Sequence, residues 1–275
     1  MPDIVFIVPY RNRPEHKFFF SKYMTSLLSD KSYEIYFVHQ NDNRSFNRGA
    51  MKNMGFLAMK EKYPNYKDLN FVFNDVDTIP FNNIFDYQTT HGIVKHYYGF
   101  EYALGGIVVI KGGDFEKING FPNCWGWGNE DTSLQKRCLA HNLRIDRSEF
   151  KGIRNPQILQ LFDGVERIIN RSDFVNARND EFGREGLLTL INPIFTVDKE
   201  SKNERDNIHV IENDNIFVIN VHHFLCGIVY NKANVYRYDI RDPKRKLLNP
   251  SARKHTTNPV TTTDDWKNIR YRTLK

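Results

Sequence analysis

Cysteine is scarce in this chain: three in 275 residues, at Cys124, Cys138 and Cys226, with no CxxC spacing among them. An odd, widely spaced set makes neither a disulfide framework nor a zinc site, so a reducing compartment is the default expectation. Long apolar runs are missing too. No stretch approaches the roughly 18 to 20 consecutive apolar residues of a membrane-spanning helix. Strand-like sequence begins at Ile4, which leaves no room for a basic leader followed by an apolar stretch. On these grounds the sequence reads as cytoplasmic, with no membrane span. Internal repeats are absent, and 40% hydrophobic with 14% aromatic content is too apolar for a disordered chain. Excess charge is small: 39 Lys and Arg against 33 Asp and Glu give +6, which favours phosphate-bearing ligands but is modest over this length. Nucleic acid is not an expected partner.

What the chain does have is an alternation of strand and helix signals. Ile4-Val-Phe-Ile-Val-Pro9 and Glu34-Ile-Tyr-Phe-Val-His39 are short β-branched or aromatic runs that read as buried strands, the first opening into a loop at Tyr10 to Glu15. Between Asn47 and Lys62 apolar residues recur near a 3.6 period, which predicts a helix despite Gly49 and Gly55. Leu69 to Asp77 reads as a third strand and Gly105 to Ile110 as a fourth, followed by a glycine-bounded short helix to Gly120 and a helix over Thr132 to Asn142. Strand, helix and strand in that order predict an α/β fold with a mainly parallel central sheet, whose functional residues gather at the carboxyl ends of strands. Beyond Arg144 the signals weaken. Phe150 to Arg184 is polar and mixed, Phe195 to Val197 and Ile216 to Val221 read as strands, and Lys199 to Asp206 is a charged loop. Residues 241–275 read as a tail that is partly disordered or wraps the surface.

Three constellations could carry chemistry. In Asp75-Val76-Asp77, strand alternation would set both carboxylates on one side, where a hard divalent cation offsets their repulsion. An acidic strand end that caps a turn is the plainer reading. In Trp125-Gly-Trp-Gly-Asn-Glu-Asp131, glycines flank Trp127, so the backbone can swing a flat ring suited to stacking on sugars, with carboxylates close behind it. Acidic residues are also favoured in any first helical turn by the helix dipole. Finally, Tyr10-Arg-Asn-Arg13 and Phe46-Asn-Arg48 place arginines after a strand and at a helix start, where they can clamp a diphosphate while an aromatic ring stacks on a base. Alone, each such arginine reads as surface charge.

Over roughly residues 4 to 141 the chain resembles the β-1,4-galactosyltransferase family. The resemblance rests on Pro9-Tyr-Arg-Asn-Arg-Pro-Glu-His16, Phe46-Asn-Arg-Gly-Ala-Met-Lys-Asn-Met-Gly-Phe56, Asn74-Asp-Val-Asp-Thr-Ile-Pro80 and Asn119-Gly-Phe-Pro-Asn-Cys-Trp-Gly-Trp-Gly-Asn-Glu-Asp131, four motifs in matching order and spacing. It implies a GT-A fold, a nucleotide-sugar-binding α/β sandwich, and an inverting, metal-dependent transfer of galactose, N-acetylgalactosamine or a related hexose from a UDP-sugar to a glycan or glycosylated acceptor. One domain over residues 1–240 is expected, with a donor-binding part to 110, an acceptor and catalytic part from 111, and the tail. By the resemblance Tyr10, Arg11, Arg13, Phe46, Arg48, Asp75 and Val76 contact the donor, Gly105 and Gly106 line its sugar, and Asp77 binds Mn²⁺ or Mg²⁺. Trp127 closes over both substrates, Gly128, Glu130 and Asp131 face the acceptor, and Asp131 is the general base. By the same resemblance a residue just before the glycine pair selects the donor sugar; the matching position is Ala103, or Tyr102 where the register slips by one.

Two departures from the family pattern stand out. Thr132-Ser133 follow Asp131 where the family's acidic run continues, and the family's metal-binding histidine has no match between residues 150 and 165. His222 and His223 are the nearest replacement. A second reading is a nonenzymatic sugar- or nucleotide-binding module that kept the fold.

Overall fold

The structure, a computed structural model, describes residues 1–170, 172–173, 183–199 and 213–241. Most of the expected charged loop and all but the first residue of the expected tail lie outside these residues.

The chain opens with β1 (Ile4–Tyr10), buried along its whole length because β-branched and aromatic side chains fill both faces. The helix α1 (Pro14–Leu27) follows, with proline in its first turn, where a missing N–H costs nothing. Then come β2 (Tyr33–Gln40), α2 (Arg48–Lys62), β3 (Asn70–Asn74), β4 (Thr78–Pro80), β5 (Ile93–Gly99) and β6 (Ile107–Lys111). Next are α3 (Gly112–Lys117), α4 (Glu130–Ala140), β7 (Arg144–Asp146), β8 (Lys151–Gly152), β9 (Ile158–Gln160) and β10 (Glu166–Asn170). The last strands among the described residues are β11 (Ile191–Asp198), β12 (Ile216–Leu225) and β13 (Val235–Asp239).

Among the described residues, nine strands form the main sheet in the order β11-β12-β2-β1-β3-β6-β5-β7, with β8 added alongside β5. The segment β12-β2-β1-β3 is parallel, while β6 runs antiparallel to both β3 and β5. Two cores result from the period of 2 along β1. Val5 and Ile7 pack with Met51, Met54 and Phe56 under α2, whereas Phe6 and Val8 pack with Phe20 and Met24 under α1. No helix among the described residues is long and apolar enough to cross a membrane.

Three expectations change. The third strand stops at Asn74, so Asp75-Val76-Asp77 is a turn and not a strand end. Asn74 causes this: its Nδ2 donates to the carbonyls of Asp75 and Thr78 at 2.8 and 2.9 Å, substituting for the sheet ladder, and the Thr78 amide donates to Asp75 O at 3.0 Å. Pro14 and Glu15, expected in the loop, are the first turn of the 14-residue helix α1, whose remainder carries no expectation from the sequence. The segment before the glycine pair holds β5, whose lysine, histidine and tyrosines hide its strand character.

Candidate active site

The second helix brings the two cations of the site to one place. Asn47 caps it by accepting the Ala50 amide at 2.9 Å. Gly55 lets the helix lie directly on the sheet, since a Cβ there would stand 2.6 Å from Ile7 Cγ2 and 2.9 Å from Val38 Cγ2. Arg48 and Lys52, one turn apart, therefore face the carboxyl ends of β1 and β3.

Arg48 joins two motifs distant in sequence. Its Nη2 donates to Asp75 Oδ1 at 2.6 Å and its Nη1 lies 3.2 Å from Glu130 Oε1. Lys52, 1% exposed, places Nζ 2.9 Å from Asp131 Oδ1 and 4.0 Å from Asp75 Oδ1. Glu130 and Asp131 start α4, which the strained entry Gly128 and Asn129, both at positive φ, turns toward α2. The Leu104 amide donates to Asp131 O at 3.0 Å and fastens the Gly105-Gly106 loop to the same helix start. Gly106 in turn accepts the Asp75 amide at 3.0 Å and adopts φ +72°, where any side chain would be strained.

The carboxylates differ in their surroundings. Burial would raise the Asp75 carboxyl, but Arg48 and Lys52 outweigh it and hold the group below its ordinary value. Asp77 is pushed up by burial and by the neighbouring charges of Asp75 and Asp163. Glu130 is also raised, first by burial and then by Asp131 beside it. A buried carboxyl raised by other carboxylates is where a hard cation is welcome, and the oxygen donors suit Mn²⁺ or Mg²⁺. Asp77 thus fits one ligand of such an ion. Among the described residues no group of three or more His, Cys, Asp or Glu is arranged to hold it completely.

Other expected site residues are placed as follows. Arg11 donates to the carbonyls of Arg44 and Asp42, and Arg13 to that of Asp163, so both tie loops at the sheet's carboxyl edge. Phe46 is partly buried, and its carbonyl accepts the Gly126 amide at 3.0 Å. Val76 is buried in the apolar cluster that also contains Val8. Trp127 is 44% exposed, with its amide 2.6 Å from Ile168 O and the Arg167 guanidinium 5.7 Å over its ring. Its neighbour Trp125 is buried and stacks on Phe224 at 5.4 Å, so only one of the two rings faces solvent.

Two expectations are corrected. Tyr10 is 1% exposed, with its ring edge-on to Phe37 and Lys17 over its face, so it is a core residue and not an open stacking platform. His222 and His223 stand on β12, three strands across from β3, or about 14 Å at the usual strand spacing, too far to share an ion with Asp77. His222 pairs instead with Asn41 and Thr196, at 3.3 and 3.4 Å. Lys52, conversely, was not expected at the site. Its signal was available: it lies four residues after Arg48, among the apolar Ala50, Met51 and Met54 of the buried part of the helix.

The family model for the N-terminal region of glycosyl transferase group 7 matches residues 2–90, and that for the N-terminal domain of galactosyltransferase matches residues 88–159. The chain belongs to the β-1,4-galactosyltransferase family. Mouse β-1,4-galactosyltransferase 4 is 34% identical over 158 residues, which cover 52% of this chain and 44% of that protein. Human β-1,4-galactosyltransferase 1 is 34% identical over 156 residues, 52% of this chain and 38% of that protein. The chain thus spans less than half the length of these curated relatives. Among solved structures, the catalytic domain of Drosophila β1,4-galactosyltransferase 7 in complex with xylobiose superposes with a TM-score of 0.60 at 23% identity, covering 83% of this chain and 96% of that one. A mutant of the same enzyme in complex with manganese, UDP-Gal and xylobiose gives a TM-score of 0.58 at 21% identity. The fold is GT-A, with a mixed, mostly parallel sheet.

Proposed function

We propose that this member of the β-1,4-galactosyltransferase family is an inverting transferase moving galactose, or N-acetylgalactosamine, from a UDP-sugar to a carbohydrate hydroxyl. The observation that carries the reading is the junction of Asp131, Lys52, Arg48 and Asp75 above the Gly105-Gly106 loop. Membership of the family and relatives named as galactosyltransferases support it.

Chemically, inversion needs one base and a way to neutralise a departing diphosphate. The acceptor hydroxyl attacks C1 of the donor sugar as its proton passes to the Asp131 carboxylate. The new C1–O bond forms while the bond from C1 to the phosphate oxygen breaks, and its electron pair leaves with UDP. No second carboxylic acid is required. Arg48, with Arg11 and Arg13 at the rim, supplies positive charge on the side where the diphosphate departs. Glu130 Oε1, which is buried, makes an ion contact with Arg48 at 3.2 Å and so holds that guanidinium beside the start of α4. Trp127, exposed between glycines, is positioned to cover bound sugar and exclude water.

A divalent cation is part of the proposal, with Asp77 as its protein ligand. When bound it would supply charge neutralisation to the diphosphate. Drosophila β1,4-galactosyltransferase 7 was solved with manganese and UDP-Gal, in keeping with this assignment. The deciding experiment measures UDP release from UDP-Gal and UDP-GalNAc with Mn²⁺ and a panel of mono- and disaccharide acceptors. Acceptor-dependent release is expected. UDP binding without any transfer would favour the nonenzymatic binding module instead.

A further inference from the structure

A buried lysine amid apolar packing is costly unless its charge is met, and an apolar residue of similar volume would often be as stable. Lys52 is such a residue. It is 1% exposed, its Nζ lies 4.4 Å from the centre of the Phe121 ring, and its neighbours along α2, Met51 and Asn53, are fully buried. Its charge is met by Asp131 at 2.9 Å, with Asp75 at 4.0 Å. Fold stability alone gives little reason for an ammonium group at this point.

The geometry of Asp131 supplies one. A carboxylate has two oxygens and rotates about its bond to Cβ. In Asp131, Oδ1 is taken by Lys52, while Oδ2 packs against Gly105, whose missing side chain makes room for it: a Cβ there would stand 2.5 Å from Oδ2. We propose that Lys52 is a positioning residue: it fixes Oδ1 so that Oδ2 is presented toward the donor-sugar loop, where the acceptor hydroxyl must be deprotonated. Because Lys52 also approaches Asp75, which Arg48 holds, the same ammonium keeps the base in register with the donor side of the site. This inference rests on the reading of Asp131 as the base.

Lys52→Met removes the charge and retains length and apolar packing, and Lys52→Gln is the alternative if that protein does not fold. Three readouts are needed. Crystal structures should show Asp131 in a different or multiple rotamers in the variant. The kcat should fall about ten- to a hundred-fold, with acceptor KM and UDP affinity changing less than about threefold. In an Asp131→Asn background, Lys52→Met should lower the residual rate by less than about twofold, because a positioning residue has nothing left to position. An unmoved Asp131 in the variant structure, or an equal loss of rate with and without the Asp131 carboxylate, would overturn the proposal. Absence of transfer by the parent protein would count against the proposed function, whereas the placement of Asp131 in the Lys52→Met structure tests the lysine's role independently.

Discussion

Asp131 Oδ2 lies 2.5 Å from the point where a Cβ on Gly105 would stand. No real Cβ tolerates that separation, so the smallest substitution must move either the carboxylate or the loop. Gly105→Ala should therefore reduce turnover at least tenfold while UDP affinity, measured by calorimetry, stays within a few-fold of the parent. An unchanged kcat would mean that the Asp131 side chain can move aside without consequence.

Asp131→Asn keeps size and hydrogen bonding but cannot accept a proton at the oxygen it retains. Turnover should fall by about 10² to 10⁴ with little change in UDP binding. Activity like the parent's would reduce Asp131 to a residue that stabilises the start of α4.

For the cation, isothermal titration of UDP with Mn²⁺ and with chelator is decisive without any turnover assay. Mn²⁺ should tighten UDP binding, and Asp77→Ala should abolish the gain. Equal affinities in both conditions would remove Asp77 from the metal-binding role.

The donor-selecting role that the family resemblance implies for Ala103 is tested by substitution; Ala103 is 7% exposed, whereas Tyr102 beside it is 65% exposed and stacks on Phe100 at the surface. A methyl side chain leaves room for a 2-acetamido group, whose burial contributes on the order of 1 kcal/mol. UDP-GalNAc should be used at least comparably to UDP-Gal, and Ala103→Tyr should shift kcat/KM toward UDP-Gal. Strict selectivity for UDP-Gal that is unaltered by the substitution would exclude Ala103 as the selecting position.

His96 predicts an acid sensitivity of the loop beneath the site. It is fully buried, Arg147 Nε donates to its Nδ1 at 3.1 Å, and its Nε2 therefore donates to the carbonyls of Tyr98 and Gly105 at 2.9 and 3.1 Å. Burial, and then the Arg147 charge, push its pKa down to about 4. Between about pH 6.5 and that value the unfolded chain binds a proton that the folded chain refuses, so stability falls as pH falls through this window, by up to roughly 3 kcal/mol. Urea midpoints across this range should show the slope, and His96→Gln should flatten it. An identical slope in the variant would assign the acid sensitivity to other groups.

Much of this architecture was legible because β1, β2, α2 and β12 state their environment in composition. Runs of Ile, Val and Phe are unambiguous when both faces of a strand are covered. The segments that escaped notice bury polar side chains. In β5, Lys95, His96 and the tyrosines look like surface residues, yet His96 and Tyr97 are fully buried or nearly so through contacts made by distant parts of the chain. Lys52 was overlooked for a related reason: a lysine in a helix reads as solvent-facing, and its partner Asp131 is 79 residues away. The histidine pair at 222 and 223 shows the opposite failure, since chemical suitability at the end of a strand says nothing about which strand lies next to the site. Tyr10 was placed by motif alone, whereas burial at a strand end decides whether a ring is open to a ligand.

The contact of Gly55 with Ile7 and Val38 has a further consequence. Both cations of the junction ride on one rigid rod, and the point where that rod bears on the sheet is seven residues from Arg48, or about 10 Å along its axis. A slight tilt there would be carried along the rod and change the spans from Arg48 to Asp75 and from Lys52 to Asp131 together. The tolerances of the site are therefore set in its foundation: the close fit of Gly55 against Ile7 and Val38 in the apolar interior acts as the gauge that keeps two ion pairs in step.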